Sequence, residues 1–240
     1  MKDQYFGDIN DYRKYALLRT LCEDDTTVAM CWMLTPDDSR RDGRKTAYLE
    51  EPNRWRHYDP TLFDSLKQAQ GTRNVRQAEI SGIFPNAVFH PALLGDSPPE
   101  RCQHFQEFFS LALDRDLIFF DPDNGLEVPS KPCGRKRSSK YGFWKEVEQA
   151  WASRSSILIY QHFPRKERSG FISQKAEELR KRLGTPKVVS FRTPHVAFFL
   201  ANQPKHEFLL GRAREIKQVW EDQIQVQFHP PLPEQTETGQ

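Results

Sequence analysis

Three short strand-like runs, set among helix-length segments, restrict what this chain can fold into. Leu117-Ile118-Phe119-Phe120, Ser156–Tyr160 and Lys187–Arg192 read as strands, and amphipathic helical stretches near residues 100–113, 141–153 and 171–183 precede them in strict alternation. The first run is apolar at every position, the mark of a strand covered on both faces. A helix between successive strands is the crossover that parallel pairing requires. The alternation therefore predicts an α/β chain with a mostly parallel sheet wrapped by helices on both faces, a doubly wound arrangement. Val196–Ala201 follows the third run after only Thr193-Pro194-His195. That connection is too short for a helical crossover, so the last two strands pair antiparallel, as a hairpin at the sheet edge.

Residues 9–21 place Ile9, Tyr12, Tyr15 and Ala16 at helical spacing, with Asp8 or Asn10 as N-cap. Residues 27–34 (TVAMCWML) read as a further buried strand, stopped by Thr35-Pro36-Asp37-Asp38. Asp59 followed by Pro60 marks the start of a helix over 59–70. Residues 38–60 are polar and charged, and 73–99 show little periodicity beyond a short strand at Ala87–His90. Residues 204–220 form a last helix, and from Pro230 the polar, Pro-containing tail reads as disordered. One domain over residues 1–229 is expected. With 240 residues, 37% of them hydrophobic, the chain can fill such a core.

A formal net charge of +2 rules out a globally basic nucleic-acid binder, so affinity of that kind has to come from local patches. Cys22, Cys31, Cys102 and Cys133 make neither a C-x-x-C pair nor a zinc-spaced cluster, and scattered thiols suit a reducing compartment. The start, Met1-Lys2-Asp3-Gln4-Tyr5, lacks the apolar stretch of a signal peptide. No run approaches the roughly 18 apolar residues of a membrane span. The expectation is a cytoplasmic protein with no membrane partner.

In an open parallel sheet, ligands bind beyond the carboxyl ends of the strands. Asp121-Pro122-Asp123-Asn124-Gly125 stands at that position. Every residue of this segment is a strong turn former, so a plain turn is the simplest account. The charge density argues for more. Two carboxylates at the end of a buried strand, with Glu127 close behind, repel unless a cation or a set of donors meets them. His162, in Tyr160-Gln161-His162 at the end of the neighbouring strand, is placed to share a pocket with Asp121 and to act as a base; a purely structural hydrogen bond is its alternative role. Lys131, Arg135, Lys136, Arg137, Lys140 and Lys145 form a run with no acid between Glu127 and Glu146, and Arg165, Lys166 and Arg168 follow the next strand. Lys131, Lys136, Arg137, Lys140 and Arg165 are thus candidates to hold a phosphate backbone, against the alternative of a solvated loop.

Two segments resemble a known family. Gly7-Asp8-Ile9-Asn10-Asp11-Tyr12-Arg13-Lys14-Tyr15-Ala16-Leu17-Leu18 is similar to the N-terminal Gly-Asn-x-x-Asp-x-x-Lys-His motif of the bacterial 23S ribosomal RNA adenine-N6 methyltransferases called RlmJ. Leu117–Phe120 followed by Asp121-Pro122 resembles the Asp-Pro-Pro-Tyr motif of amino-methyltransferases. The later order is also similar: a strand ending in an aromatic (Ile157–Tyr160), Arg165, a basic helix, and a hairpin ending in Phe198-Phe199-Leu200-Ala201-Asn202-Gln203-Pro204. The resemblance implies a Rossmann-like methyltransferase fold, S-adenosylmethionine as cofactor, and a nucleic acid, RNA, as partner. It places Asp121 and Pro122 at the reacting centre, with Asp123, Asn124 and His162 beside them. It puts Tyr5, Gly7, Asp8, Lys14, Thr35 and Asp37 around the cofactor. The N-terminal helix would pack over the cofactor pocket, whereas Asp11 and Lys14 at i, i+3 would otherwise be a surface ion pair. The chain departs from the family at two places. Asp123 and Asn124 stand where a second Pro and a stacking aromatic belong. The first strand ends in Met33-Leu34-Thr35-Pro36-Asp37-Asp38, with no glycine before Gly43, where the family has a Gly-rich loop. Asp37, Asp38 or Asp42 would then be left to hold ribose hydroxyls.

A rival reading uses the same strand ends. Asp121, Asp123 and Glu127, with Lys131 and Lys140 behind them, have the ingredients of a magnesium site in a metal-dependent nuclease or phosphodiesterase. The span from Pro122 to Lys131 loosely resembles the PD-(D/E)xK nuclease pattern, although the acid-to-lysine spacing is longer. A third reading is a non-catalytic module that binds nucleic acid through residues 131–145.

Overall fold

The computed structural model describes residues 1–38, 43–185 and 187–229. The tail from Pro230, and Asp42, lie outside the described residues. In chain order the helices are α1 (Ile9–Leu21), α2 (Pro52–Trp55), α3 (Pro60–Gln68), α4 (Arg76–Ile80), α5 (Pro98–Leu111), α6 (Trp144–Ala152), α7 (Arg168–Leu183) and α8 (Phe208–Val219). The strands are β1 (Val28–Cys31), β2 (Ala87–His90), β3 (Leu117–Phe120), β4 (Gly125–Leu126), β5 (Tyr141–Gly142), β6 (Ser156–His162), β7 (Val188–Arg192), β8 (Val196–Ala201) and β9 (Gln225–His229). Local chemistry sets the helix starts. Asp8 caps α1 by accepting from the backbone N–H groups of Asn10 and Asp11, and Asp59 caps α3 with Pro60 in its first turn.

Seven strands form one mixed sheet in the order β2-β1-β3-β6-β8-β7-β9. The pairs β2–β1, β1–β3 and β3–β6 are parallel, and β8 runs antiparallel to both β6 and β7. Alternate residues of each strand point to opposite faces. Met30, Trp32, Leu117 and Phe119 pack on one side with α1, α3 and α8, while Ala29, Cys31, Ile118 and Phe120 pack on the other with α5, α6 and α7. Burial on both faces is why β1 and β3 carry no polar residue.

The hairpin β7–β8 forms as expected but does not sit at the edge. β8 inserts between β6 and β7, and β9, unforeseen in the sequence, closes the far side by pairing antiparallel with β7. β9 reads Gln-Val-Gln-Phe-His, and only Val226 and Phe228 pack against the core. Half-polar edge strands of this kind carry a weak signal. The polar stretch 38–60 contains α2, and the aperiodic stretch 73–99 contains α4, both of five residues or fewer. Among the described residues, no helix is long and apolar enough to cross a membrane.

Candidate functional site

The chain leaves β1 for β2 on one side and returns to β3 on the other, so the strand order reverses between β1 and β3. Open α/β sheets hold their ligands at such a reversal. Beyond the carboxyl ends of these strands lies a cavity of about 450 Å³, within the range of small-molecule sites. Its walls come from the first turns of α1, the loop after β3, the end of β6 and the β7–β8 turn.

Asp8, Asp11 and Lys14 follow one another at three-residue intervals, so α1 presents them along one face. Asp11 and Lys14 do not form the surface ion pair expected from their spacing. Lys14 is 3% exposed and bridges two buried carboxylates, with Nζ 2.8 Å from Asp11 Oδ1 and 2.7 Å from Asp121 Oδ2. The cause is tertiary: β3 delivers Asp121 against a helix that is buried along most of its length. Asp11 Oδ2 also accepts from the Gly7 N–H and the Tyr15 hydroxyl, each at 3.2 Å. Burial nevertheless pushes the Asp11 carboxyl up to about 7, the neighbouring Lys14 opposing it. Burial pulls Lys14 in the opposite sense, but Asp11 and Asp121 outweigh it and hold its ammonium above the usual lysine range.

Asp123 is held on three sides. The terminal ammonium of Met1 lies 2.9 Å from Oδ1, and Oδ2 accepts from Thr35 Oγ1 at 2.8 Å and Lys140 Nζ at 3.0 Å. Burial raises this carboxyl, but the ammonium and Lys140 outweigh it and keep Asp123 well below the usual carboxylate range. The loop itself is fixed by Gln161 on the adjacent strand. Gln161 Nε2 donates to the carbonyls of Asn124 and His162 at 3.1 and 2.9 Å, and its Oε1 accepts from the Leu126 N–H at 2.9 Å. Gly125 makes this clamp possible. Its φ is 101°, and a Cβ there would fall 2.3 Å from the Gln161 carboxamide.

Several expectations need correction here. Lys140, expected on phosphate, is bonded to Asp123 because the loop that carries it folds back: β4 pairs with β5, and the Asn124 N–H donates to the Lys140 carbonyl at 2.9 Å. The magnesium set does not converge. Asp121 and Asp123 meet cations of the chain itself, while Glu127 Oε1 accepts from the Trp144 N–H at the start of α6, at 3.3 Å. Among the described residues no group of three His, Cys, Asp or Glu is placed to hold a metal. Lys131, Lys136, Arg137 and Arg165 do not line the cavity. The basic loop is pinned instead by Asp96, whose carboxylate accepts from the backbone N–H groups of Arg137 and Ser139 at 2.7 and 2.8 Å.

Of the residues expected around a cofactor, Tyr5, Asp8 and Lys14 line the cavity, and Gly7, Thr35 and Asp37 do not. Thr35 is bonded to Asp123, and Asp37 accepts from the Gln4 N–H at 3.1 Å. At the end of β1, Met33 takes a left-handed φ of 47°, a conformation that favours glycine, yet its side chain is fully buried. Met1 lies across this end: its ammonium donates to the Met33 carbonyl at 3.3 Å, and its carbonyl accepts from the Thr35 N–H at 2.9 Å. The chain therefore covers its own backbone where S-adenosylmethionine would have to approach. The residues after β1 do not fit that cofactor in the manner the resemblance implies.

Asp121, Pro122, Asp123, Asn124 and His162 all line the cavity. His162 is exposed, with Nδ1 3.1 Å from the Phe163 carbonyl. Sequence reasoning missed Tyr160, Lys45 and His195 as wall residues. Tyr160 had a signal, as the aromatic ending a buried strand one register step from His162. Lys45 and His195 lie 150 residues apart and only the tertiary fold joins them. No family model and no curated protein matches this chain.

Proposed function

We propose that this protein is a divergent, methyltransferase-like member of the doubly wound α/β class that takes a base of a nucleic acid into the cavity, with its exocyclic amine against Asp121 and Pro122. The observation that carries the reading is the buried carboxylate that the end of β3 delivers to the cavity wall. Asp121 is buried, lines the cavity and gives Oδ2 to Lys14. An acceptor of this kind, beside a proline carbonyl in a largely desolvated site, suits an N–H donor. Lys14 pairs with Asp121, and Asp11, pushed up to about 7, is the group beside them able to exchange a proton with the network near neutral pH. The stacking aromatic absent at Asn124 has a substitute in Tyr160, whose ring stands edge-on to Phe198 at 5.6 Å on the cavity wall.

Calorimetric titration tests the reading. Adenosine is expected to bind the wild-type chain and to lose about tenfold or more in affinity in Asp121→Asn, since an amide replaces the charged acceptor. No binding of adenosine or cytidine would overturn it. S-adenosylmethionine titrated in parallel, without metal, decides whether the protein is an enzyme of the family type. Nucleoside binding without cofactor binding identifies a non-catalytic protein that binds through the cavity rather than through residues 131–145, a second reading favoured by the covering of the β1 end by Met1 and Met33.

A further inference from the structure

We propose that Lys45 and His195 form a phosphate-binding site at the mouth of the cavity, receiving the phosphate attached to the nucleoside whose base the cavity floor accepts. The inference rests on the base-binding reading and adds the charged part of the ligand. Lys45 and His195 arrive from opposite sides of the fold. The Lys45 carbonyl accepts from the Ile9 N–H at 3.0 Å, which ties it to the first turn of α1. His195 sits in the β7–β8 turn, where Thr193 Oγ1 accepts from the backbone N–H groups of His195 and Val196 at 3.3 and 3.1 Å. These two anchors bring Lys45 Nζ to 3.1 Å from His195 Nε2, exposed at the cavity wall.

The other lysines of the cavity are already matched. Lys14 meets Asp11 and Asp121, Lys140 meets Asp123, and Lys2 meets Asp38. Among the described residues, neither Lys45 nor His195 has a carboxylate at ion-pairing distance. Lys45 can only donate, so His195 Nε2 accepts from it; the ammonium has no anionic partner, and an oxyanion at the mouth takes one charge-assisted hydrogen bond from Lys45 and a second from the imidazole as it gains a proton. The electrostatics agree. Burial, then Lys45, Arg13 and Arg168, hold the His195 imidazole below its ordinary range, and Asp8 works in the other direction. An arriving phosphate reverses the effect of those cations. The cavity thus has a carboxylate floor that suits an amine and a basic mouth that suits an oxyanion, the polarity of a nucleotide.

The test compares ligands that differ by the phosphate alone. Adenosine, adenosine monophosphate and a short single-stranded oligoadenylate are titrated into the full chain at low salt, in the wild type and in Lys45→Ala and His195→Ala. The expected result is about tenfold tighter binding of the monophosphate than of adenosine, a ratio that falls to about one in both variants, each measured against its own adenosine affinity. If the oligoadenylate shows the same variant-sensitive gain, the phosphate comes from a nucleic acid; if only the monophosphate does, the ligand is a free nucleotide. Equal binding of adenosine and the monophosphate overturns the phosphate site and leaves base binding standing. If neither binds, inorganic phosphate followed by the His195 ring resonances separates the two ideas. A shift that disappears in Lys45→Ala keeps the phosphate site and discards the base. No shift discards both.

Discussion

Lys14 is the residue on which the floor of the cavity depends. With its ammonium between Asp11 and Asp121, its replacement strands two carboxylates in a site at most 6% exposed. Lys14→Met is expected to cost about 3–5 kcal/mol of stability, the usual consequence of removing one partner from a buried ion pair. Urea unfolding measures it, and a cost under ~1 kcal/mol would mean that the bridge does not exist in solution. Combining it with Asp11→Asn should recover part of the loss. A second residue-scale prediction concerns His104, which packs edge-on to His90 with ring centroids 4.3 Å apart, its Nε2 3.6 Å from Cys31 Sγ. Burial, then His90 and Arg101, push its imidazole down to about 3. The unfolded chain binds a proton near pH 6.5 that the folded chain refuses until about pH 3, so stability drains away as pH falls through that window. The urea midpoint should drop between pH 7 and pH 5, and drop less in His104→Phe. The Asp8, Asp11, Lys14 spacing was legible in the sequence. The burial of that face was not, because it depends on Asp121 arriving from more than a hundred positions away.

At the scale of elements, the loop after β3 is held by a side chain of the adjacent strand rather than by its own turn chemistry alone. The Asp-Pro-Asp-Asn-Gly segment reads as a turn from composition alone, but Gln161 holds its end through two hydrogen bonds, to the Asn124 carbonyl and the Leu126 N–H. Gly125→Ala is therefore expected to destabilise the fold by about 1–3 kcal/mol, since φ at 101° and the 2.3 Å approach to Gln161 both oppose a side chain. Gln161→Leu should leave β6 in place and raise amide exchange at residues 124–126, which hydrogen-exchange measurements resolve. Unchanged protection there would show that the loop holds itself. The same contrast explains which elements were readable. β3, β6, α1 and α3 carry dense apolar patterns or caps and stand where expected. α2 and α4 are too short to build a period, and β5 exists only because β4 lies beside it.

For the whole molecule, the seven-stranded sheet places all of the candidate chemistry at one end, because β1, β3 and β6 run parallel and finish together. β6 and β7 are both antiparallel to β8 and so run the same way, which puts the His195 turn after β7 at that end too. That arrangement has a cost at the far side, where β7 would be left with a free, apolar edge. β9 covers it over Val188–Arg192, with Val226 opposite Phe191 and Phe228 opposite Val189. Unpaired edges of this composition template association between chains. Replacing both residues by proline (Val226→Pro with Phe228→Pro) removes ladder donors and should uncover β7 without touching the cavity. The expected outcome is concentration-dependent association in light scattering, with the nucleoside affinity of the remaining monomer unchanged. A variant that stays monomeric would show that β7 is protected by something other than β9, and one that loses ligand binding as well would show that the edge and the site are a single cooperative unit.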